Sequence, residues 1–172
     1  MSRRHVLCVR PGALRVNYFD GRLLSAADFR AEQEYLLGKL HQLTRVVLGA
    51  GIVNGLRVSA GAHGLSVSPG VAVDPLGRLI ELTEPCSFKL PRSRGPWDLY
   101  IELVEVPCDA VPVNAEPPST NEATHDFAML QETVSLWLEA RPAGGRRTPA
   151  PRALRLAGIT PVKGGGPRIR RA

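Results

Sequence analysis

The residues best suited to metal binding or acid–base catalysis are four histidines, His5, His41, His63 and His125. They fall in different predicted elements, and no two of them have the HxH or HxxxH spacing that metal ligands often show. His125 adjoins Asp126, with Glu122 nearby, but that stretch has the composition of a polar loop. The sequence therefore predicts no metal site and no catalytic histidine.

No other side chains form a recognisable catalytic group. Ser68 stands in Val-Ser-Pro-Gly, which is not the GxSxG turn that exposes a nucleophilic serine. Glu102 and Glu105 are three apart on a predicted strand, so they point to opposite faces and cannot share one substrate. The glycines of 49–55 resemble a dinucleotide loop, but they follow a helix, whereas such a loop must precede one. We therefore predict no catalytic residue, no cofactor and no enzyme activity.

Positive charge is concentrated at the C-terminal end. Nine of the 22 Lys and Arg residues lie from Arg141 onward, where there is no acidic residue, and residues 1–140 hold all sixteen Asp and Glu. Clustered cations can displace counterions from nucleic-acid phosphates, which makes nucleic-acid binding one interpretation. Because this segment has no aromatic residue to stack on bases, we favour docking on an acidic neighbouring subunit.

One amphipathic helix is predicted to begin after Ser25 and to end near Leu48. The Ser25 hydroxyl can cap the free backbone NH of Asp28, and Gly49-Ala50-Gly51 follows the last apolar residue. Seven-residue spacing relates two interleaved sets: Phe29, Leu36 and Leu43, and Gln33, Leu40 and Val47. Such a stripe fits a helix docked on its own sheet, which we favour, or a helix that bundles around a symmetry axis.

The remaining chain has the pattern of short strands. From Gly55 to Leu82, apolar residues alternate between turn signals, which predicts an antiparallel meander with a sharp turn at Gly77. A sharp turn is also predicted at Gly51, between the helix and the meander. Both faces of 98–106 are mainly apolar, so this strand should be central. Residues 107–126 should form a long loop. Two further strands are predicted, at 131–140 and 154–159.

The expected fold class is α+β, with a long N-terminal helix packed on a mostly antiparallel sheet and an extended basic C-terminal arm. The expected domains are a helix-plus-sheet structural domain over residues 1–140 and a basic Gly/Pro/Arg-rich arm over residues 141–172, with room for one added strand. No apolar run approaches the roughly 18 residues of a membrane-spanning helix. An odd number of widely spaced cysteines, Cys8, Cys86 and Cys108, predicts small core residues and no disulfide framework.

Several motifs of the chain form a recognisable set. They are Asn17-Tyr18-Phe19-Asp20-Gly21, Leu23-Leu24, Asp28-Phe29, Gln33, Gly51-Ile52-Val53-Asn54-Gly55-Leu56, Val67-Ser68-Pro69-Gly70-Val71-Ala72-Val73-Asp74 and Gly77-Arg78. Together these motifs resemble a structural protein family encoded in phage-tail and contractile-injection-system gene clusters. The segment 99–106 is similar to the strand that follows this block in the family. The resemblance implies a structural component of a tail-like particle, without enzymatic activity.

We therefore expect a structural or adaptor subunit near one end of a phage-tail-like contractile injection particle, at the baseplate, at the attachment of a fibre, or as a cap. The expected partners are other particle subunits and further copies of this chain, with a trimer as one option; nucleic acid is not an expected partner. Assembly is expected in the cytoplasm, with exit from the cell only as part of a particle. The candidate interface residues are Phe29, Gln33, Leu36, Leu40, Leu43, Val47, Arg168, Arg170 and Arg171.

A second interpretation is a carbohydrate- or surface-binding module of a tail fibre. Trp97, Tyr100 and Trp137 are the aromatic residues that could stack on sugar rings. A less favoured third interpretation is an enzyme such as a cell-wall hydrolase.

Overall fold

Antiparallel strands make up most of the protein. The computed structural model describes residues 13–61, 64–91, 95–112, 125–141, 152–162 and 166–172. These residues contain one helix, α1 (Ala26–Val47), and ten strands. The strands are β1 (Gly51–Gly55), β2 (Val58–Gly61), β3 (Gly64–Val67), β4 (Gly70–Val73), β5 (Leu79–Leu82), β6 (Cys86–Phe88), β7 (Trp97–Pro112), β8 (His125–Ala140), β9 (Leu154–Thr160) and β10 (Arg168–Arg171).

The strands form three sheets, and all pairings among the described residues are antiparallel. Two are three-stranded, with the orders β1-β4-β5 and β2-β3-β6. The third has the order β10-β9-β7-β8. The predicted meander is therefore present, but its strands are divided between two sheets.

One apolar core joins the three sheets. Its buried members include Leu65 and Val67 of β3, Ile80 of β5, Leu99 of β7 and Leu156 of β9. Leu65 and Val67 alternate with less buried residues, as expected for strands with one face in a core. The first half of β7 is buried on both faces, which confirms the prediction of a central strand.

The predicted fold class is wrong where it packs a long helix on the sheet. The protein consists mostly of antiparallel sheets with a single helix in its described residues, and the apolar side of that helix is exposed. The limits of the helix agree with the prediction, since α1 starts after a Ser25 capping box and ends before Gly49, which has a φ of 72°. A seven-residue stripe indicates an apolar helix face, but it does not show what that face contacts.

The extended basic arm of the predicted fold class is also wrong. Strand β9 lies beside β7, with Leu156 and Ile159 fully buried, and β10 pairs with β9. The strand predicted at 154–159 is present as β9, but the prediction assigned it to the arm and not to the sheet that contains β7. The predicted domain boundary at residue 140 stays a prediction, because residues 142–151 lie outside the described part.

The predicted loop over 107–126 is wrong at both ends. Strand β7 continues to Pro112, and β8 already begins at His125, so the two strands form a hairpin that projects past β9. Proline is tolerated where a strand pairs on one side only, which is the case for Pro107 and Pro112. The middle of the predicted loop, residues 113–124, lies outside the described residues.

Candidate assembly surfaces

Polar residues in the first turns of α1 contact the turn that precedes the helix. The Tyr18 hydroxyl donates a hydrogen bond to Glu32, and Arg22 forms an ion pair with Asp28, so the preceding turn lies along the helix. Hydrogen bonds from Ser25 hold the pKa of Asp28 below its usual range, and the hydrogen bond to Glu32 raises the pKa of Tyr18. These contacts fix the orientation of the first turns of the helix.

The C-terminal half of α1 rests on the turn between β4 and β5. Gly77 has a φ of 90°, and a Cβ placed on it would lie 2.0 Å from the carbonyl oxygen of His41. The turn is held by Asp74, which is fully buried. Its carboxylate accepts hydrogen bonds from the backbone NH of Leu76 (2.8 Å) and from the backbone NH and Nε of Arg78 (2.9 and 2.6 Å). Gly77 is therefore a sharp turn, as predicted.

The apolar side of α1 faces away from the core. We define the helix stripe as Phe29, Gln33, Leu36, Leu40, Leu43 and Val47, and all six residues are exposed. Phe29 is 53% exposed, Leu40 50% and Val47 69%. Leu37 and Val46 flank the stripe and are exposed as well. Because large exposed apolar patches on soluble proteins often mark interaction sites, this surface is a candidate interface.

A buried carboxylate organises the other candidate surface. Asp98 at the start of β7 is 4% exposed. It binds Arg141 through two hydrogen bonds, of 2.6 and 3.1 Å, and it accepts a third, of 2.8 Å, from Nε of Arg155. Burial acts to raise the pKa of Asp98, but the hydrogen bonds and charges of the two arginines outweigh it, and this pKa lies below its usual range. The same contact raises the pKa of Arg141.

The three arginines predicted as interface residues lie next to this cluster. Arg168, Arg170 and Arg171 of β10 line a cavity of about 920 Å³, together with Arg141, Arg155 and Gly158. We call this the arginine cavity. The sequence prediction named the β10 arginines, whose interface role stays a prediction, but it did not name Asp98, although an acidic residue at the start of an otherwise apolar strand was a usable signal.

The aromatic residues proposed as a sugar platform do not come together. Tyr100 and Trp137 are stacked with ring centroids 5.7 Å apart, but Tyr100 is buried. Trp97 lies an odd number of positions from Tyr100 on β7, so it points to the opposite face, where it packs against the core. The structure therefore provides no three-residue aromatic platform at these positions.

The residues considered for chemistry are also dispersed. His41 lies on α1 and His125 on β8, while His5 and His63 fall outside the described residues. Among the described residues, no group of three or more His, Cys, Asp or Glu side chains could hold a metal ion. Cys86 and Cys108 are free and only partly buried, so they are not the core residues that were predicted; Cys8 is not described.

Comparison with solved structures identifies the fold. The chain is similar to one in the type VI secretion system TssK-TssF-TssG baseplate subcomplex, with a TM-score of 0.54 and 14% identity over 92% of this chain. It is also similar to the crystal structure of TssK, with a TM-score of 0.52 and 14% identity, again over 92% of this chain. This chain spans 60% and 41% of the lengths of those two chains.

No protein-family model matches the sequence. No curated protein matches it either. Among the described residues, no helix is long and apolar enough to cross a membrane. The solved structures therefore define a fold shared with type VI secretion baseplate proteins.

Proposed function

We propose that this protein is a structural subunit of a contractile injection particle, located in or beside its baseplate. The observation that carries the proposal is the exposed helix stripe on a chain with the fold of baseplate proteins. The type VI secretion system is a phage-tail-like contractile system, and one of the similar chains comes from a baseplate subcomplex with several subunits. The resemblance of Asn17–Arg78 to a tail-particle family supports the same role.

The proposed occupant of the helix stripe is a second copy of the chain. Seven-residue spacing lets the same positions of two or three helices meet along a common axis, and the polar Gln33 within the stripe would help to fix their register. Leu37 and Val46, on the two sides of the stripe, widen its apolar surface. The role proposed is structural and not enzymatic, and assembly in the cytoplasm belongs to the same proposal.

Incorporation into particles tests this role. We would purify contractile particles from cells that express the tagged chain in place of the native copy, and measure the chain by quantitative mass spectrometry. Leu36→Gln combined with Leu40→Gln should prevent incorporation, because it removes apolar contact from the middle of the stripe. Ala31→Gln combined with Glu34→Gln, at exposed positions outside the stripe, should have no effect.

The proposal is wrong if the parent chain never co-purifies with particles, or if particles assemble in normal number and length after its deletion. It is also wrong if both double variants enter particles as well as the parent does.

A further inference from the structure

We propose that the arginine cavity binds an acidic peptide segment of a partner protein. The cavity lies at the edge of the four-stranded sheet. Its lining residues, from Arg141 onward, are far in sequence from the helix stripe. Register places Arg168 and Arg170 opposite Thr160 and Gly158, so both arginines share one face of β10. Gly158 in turn lies opposite Asp98, which brings the Asp98 cluster to the same face.

The cavity has more positive charge than its own carboxylates can balance. Five arginines line it. The buried Asp98 forms ion pairs with two of them, Arg141 and Arg155. Glu139 lies opposite Asp98 on β8 and forms an interaction of its own. Even if both side-chain carboxylates are counted, the side chains leave three positive charges. Arg168, Arg170 and Arg171 form no ion pair with another described residue, and all three are exposed.

Gly158 lines the cavity and has no side chain, so the guanidinium groups of two arginines can lie close to the sheet there. A Cβ on Gly158 would stand 2.4 Å from Nη2 of Arg141 and 2.6 Å from Nη2 of Arg155. Their bonds to the buried Asp98 restrict both side chains before any ligand arrives. Arginines fixed in this way lose less conformational entropy on binding, and a planar guanidinium can bind a carboxylate through two parallel hydrogen bonds.

An acidic peptide fits the site better than a nucleic acid does. Single-stranded nucleic acids bind where aromatic rings offer stacking surfaces, and no aromatic residue lines the arginine cavity. Strand β10 ends its sheet, and no described strand pairs with its outer edge. An extended segment could lie along that edge and place alternate carboxylates over Arg168 and Arg170, which point to one side with the two-residue period of a strand.

The experiment measures binding of a fluorescein-labelled hexaglutamate peptide to the purified full chain by fluorescence anisotropy. At about 0.05 M salt, where charge screening is weak, hexaglutamate should bind at least about tenfold more tightly than hexaglutamine. Arg168→Gln combined with Arg170→Gln should weaken hexaglutamate binding at least about tenfold. Arg15→Gln combined with Arg30→Gln removes the same charge at exposed positions elsewhere and should change the affinity less than about twofold.

Three results would overturn the proposal: no measurable binding of hexaglutamate, an equal loss in both double variants, or tighter binding of a six-nucleotide oligothymidylate than of hexaglutamate. The last result would identify nucleic acid as the ligand. Both variants should keep the parent circular-dichroism spectrum, since the four arginines are exposed. Binding by the isolated chain does not require the baseplate role, so a chain that binds the peptide but never enters particles would refute only that role.

Discussion

Asp98 is the residue whose loss should affect the C-terminal sheet most. Replacing it by Asn keeps the shape of the side chain but removes the charge that binds Arg141 and Arg155. We expect the free energy of unfolding to fall by about 3 kcal/mol, which is at the low end for breaking a buried ion pair because Arg141 is partly exposed. Urea denaturation measures this value. Glu84→Gln, at an exposed position, is the control and should change it by less than about 0.5 kcal/mol.

The same carboxylate should contribute to stability in a pH-dependent way. Because the pKa of Asp98 is lower in the folded state, its contribution is present above the unfolded value of about 3.9 and is lost as the pH falls through the folded value. The parent should therefore lose stability more steeply than Asp98→Asn when the pH falls below about 4. Parallel acid-limb curves for the two proteins would contradict this assignment.

Gly77 and Gly51 should respond differently to the same substitution. Gly77→Val places a β-branched residue at a φ of 90° and its Cβ 2.0 Å from the His41 carbonyl oxygen, so we expect a loss of more than about 2 kcal/mol. Gly51 does not have a positive φ, and a Cβ there meets nothing within 4 Å, so the sequence prediction of a sharp turn at Gly51 is wrong. Gly51→Val should change the thermal midpoint little, and an equal effect of both substitutions would contradict the turn geometry.

The sequence identified Gly77 correctly, but near β1 it located the turns only to within a few residues and did not identify the glycines that make them. Gly49 and Gly55 are the glycines with positive φ near β1, and Leu56 directly after the strand has a positive φ as well. Gly51 is simply the first residue of the strand. A cluster of glycines shows that the chain turns. Which of them takes a left-handed conformation depends on backbone neighbours such as Pro69, whose carbonyl oxygen would lie 2.1 Å from a Cβ on Gly55.

The helix α1 should control self-association without being needed for the core. Leu36→Gln combined with Leu40→Gln should convert an oligomer to a monomer, because both side chains are about half exposed in the single chain and lose apolar contact only between chains. The free energy of unfolding at high dilution should change by less than about 0.5 kcal/mol. Light scattering over a concentration series measures the association. A parent that stays monomeric at every concentration would contradict the proposed self-association.

The limits of α1 could be predicted because they depend on local chemistry. Ser25 and Asp28 cap each other, and Gly49 ends the last turn, so a window of a few residues contains the signal. The partner of its apolar side depends on the whole fold. Glu32 contacts the preceding turn through Tyr18, whereas the apolar stripe is exposed, and a seven-residue pattern does not show which side of a helix contacts the chain.

The difference between local signals, which a sequence shows, and long-range contacts, which it does not, also applies to the molecule as a whole. The sequence predicted an antiparallel protein with a central strand at 98–106, because apolar alternation reports directly on strands. It did not predict that β9 completes the core, since Arg155 separates its apolar residues and the surrounding segment is rich in Pro, Gly and Arg. Arg155 instead pairs with Asp98, 57 positions earlier, and such a long-range ion pair cannot be read from a single sequence. The sequence prediction therefore named the β10 arginines that line the cavity, but not Asp98 or Arg155.

Truncation tests whether the C-terminal segment is part of the fold or an appended arm. A chain that ends at Ala140 lacks β9, so Leu99 and Ile101 lose one of the two strands that pair with them, and the core loses Leu156 and Ile159. We expect it to show no cooperative urea transition and no near-ultraviolet circular dichroism. A chain that ends at Val162 loses only β10 and the packing of Ile169, so it should fold with a free energy of unfolding reduced by roughly 2 kcal/mol. If the chain that ends at Ala140 instead unfolds cooperatively with the parent spectrum, residues 141–172 are an arm and β9 is not an essential strand of the core.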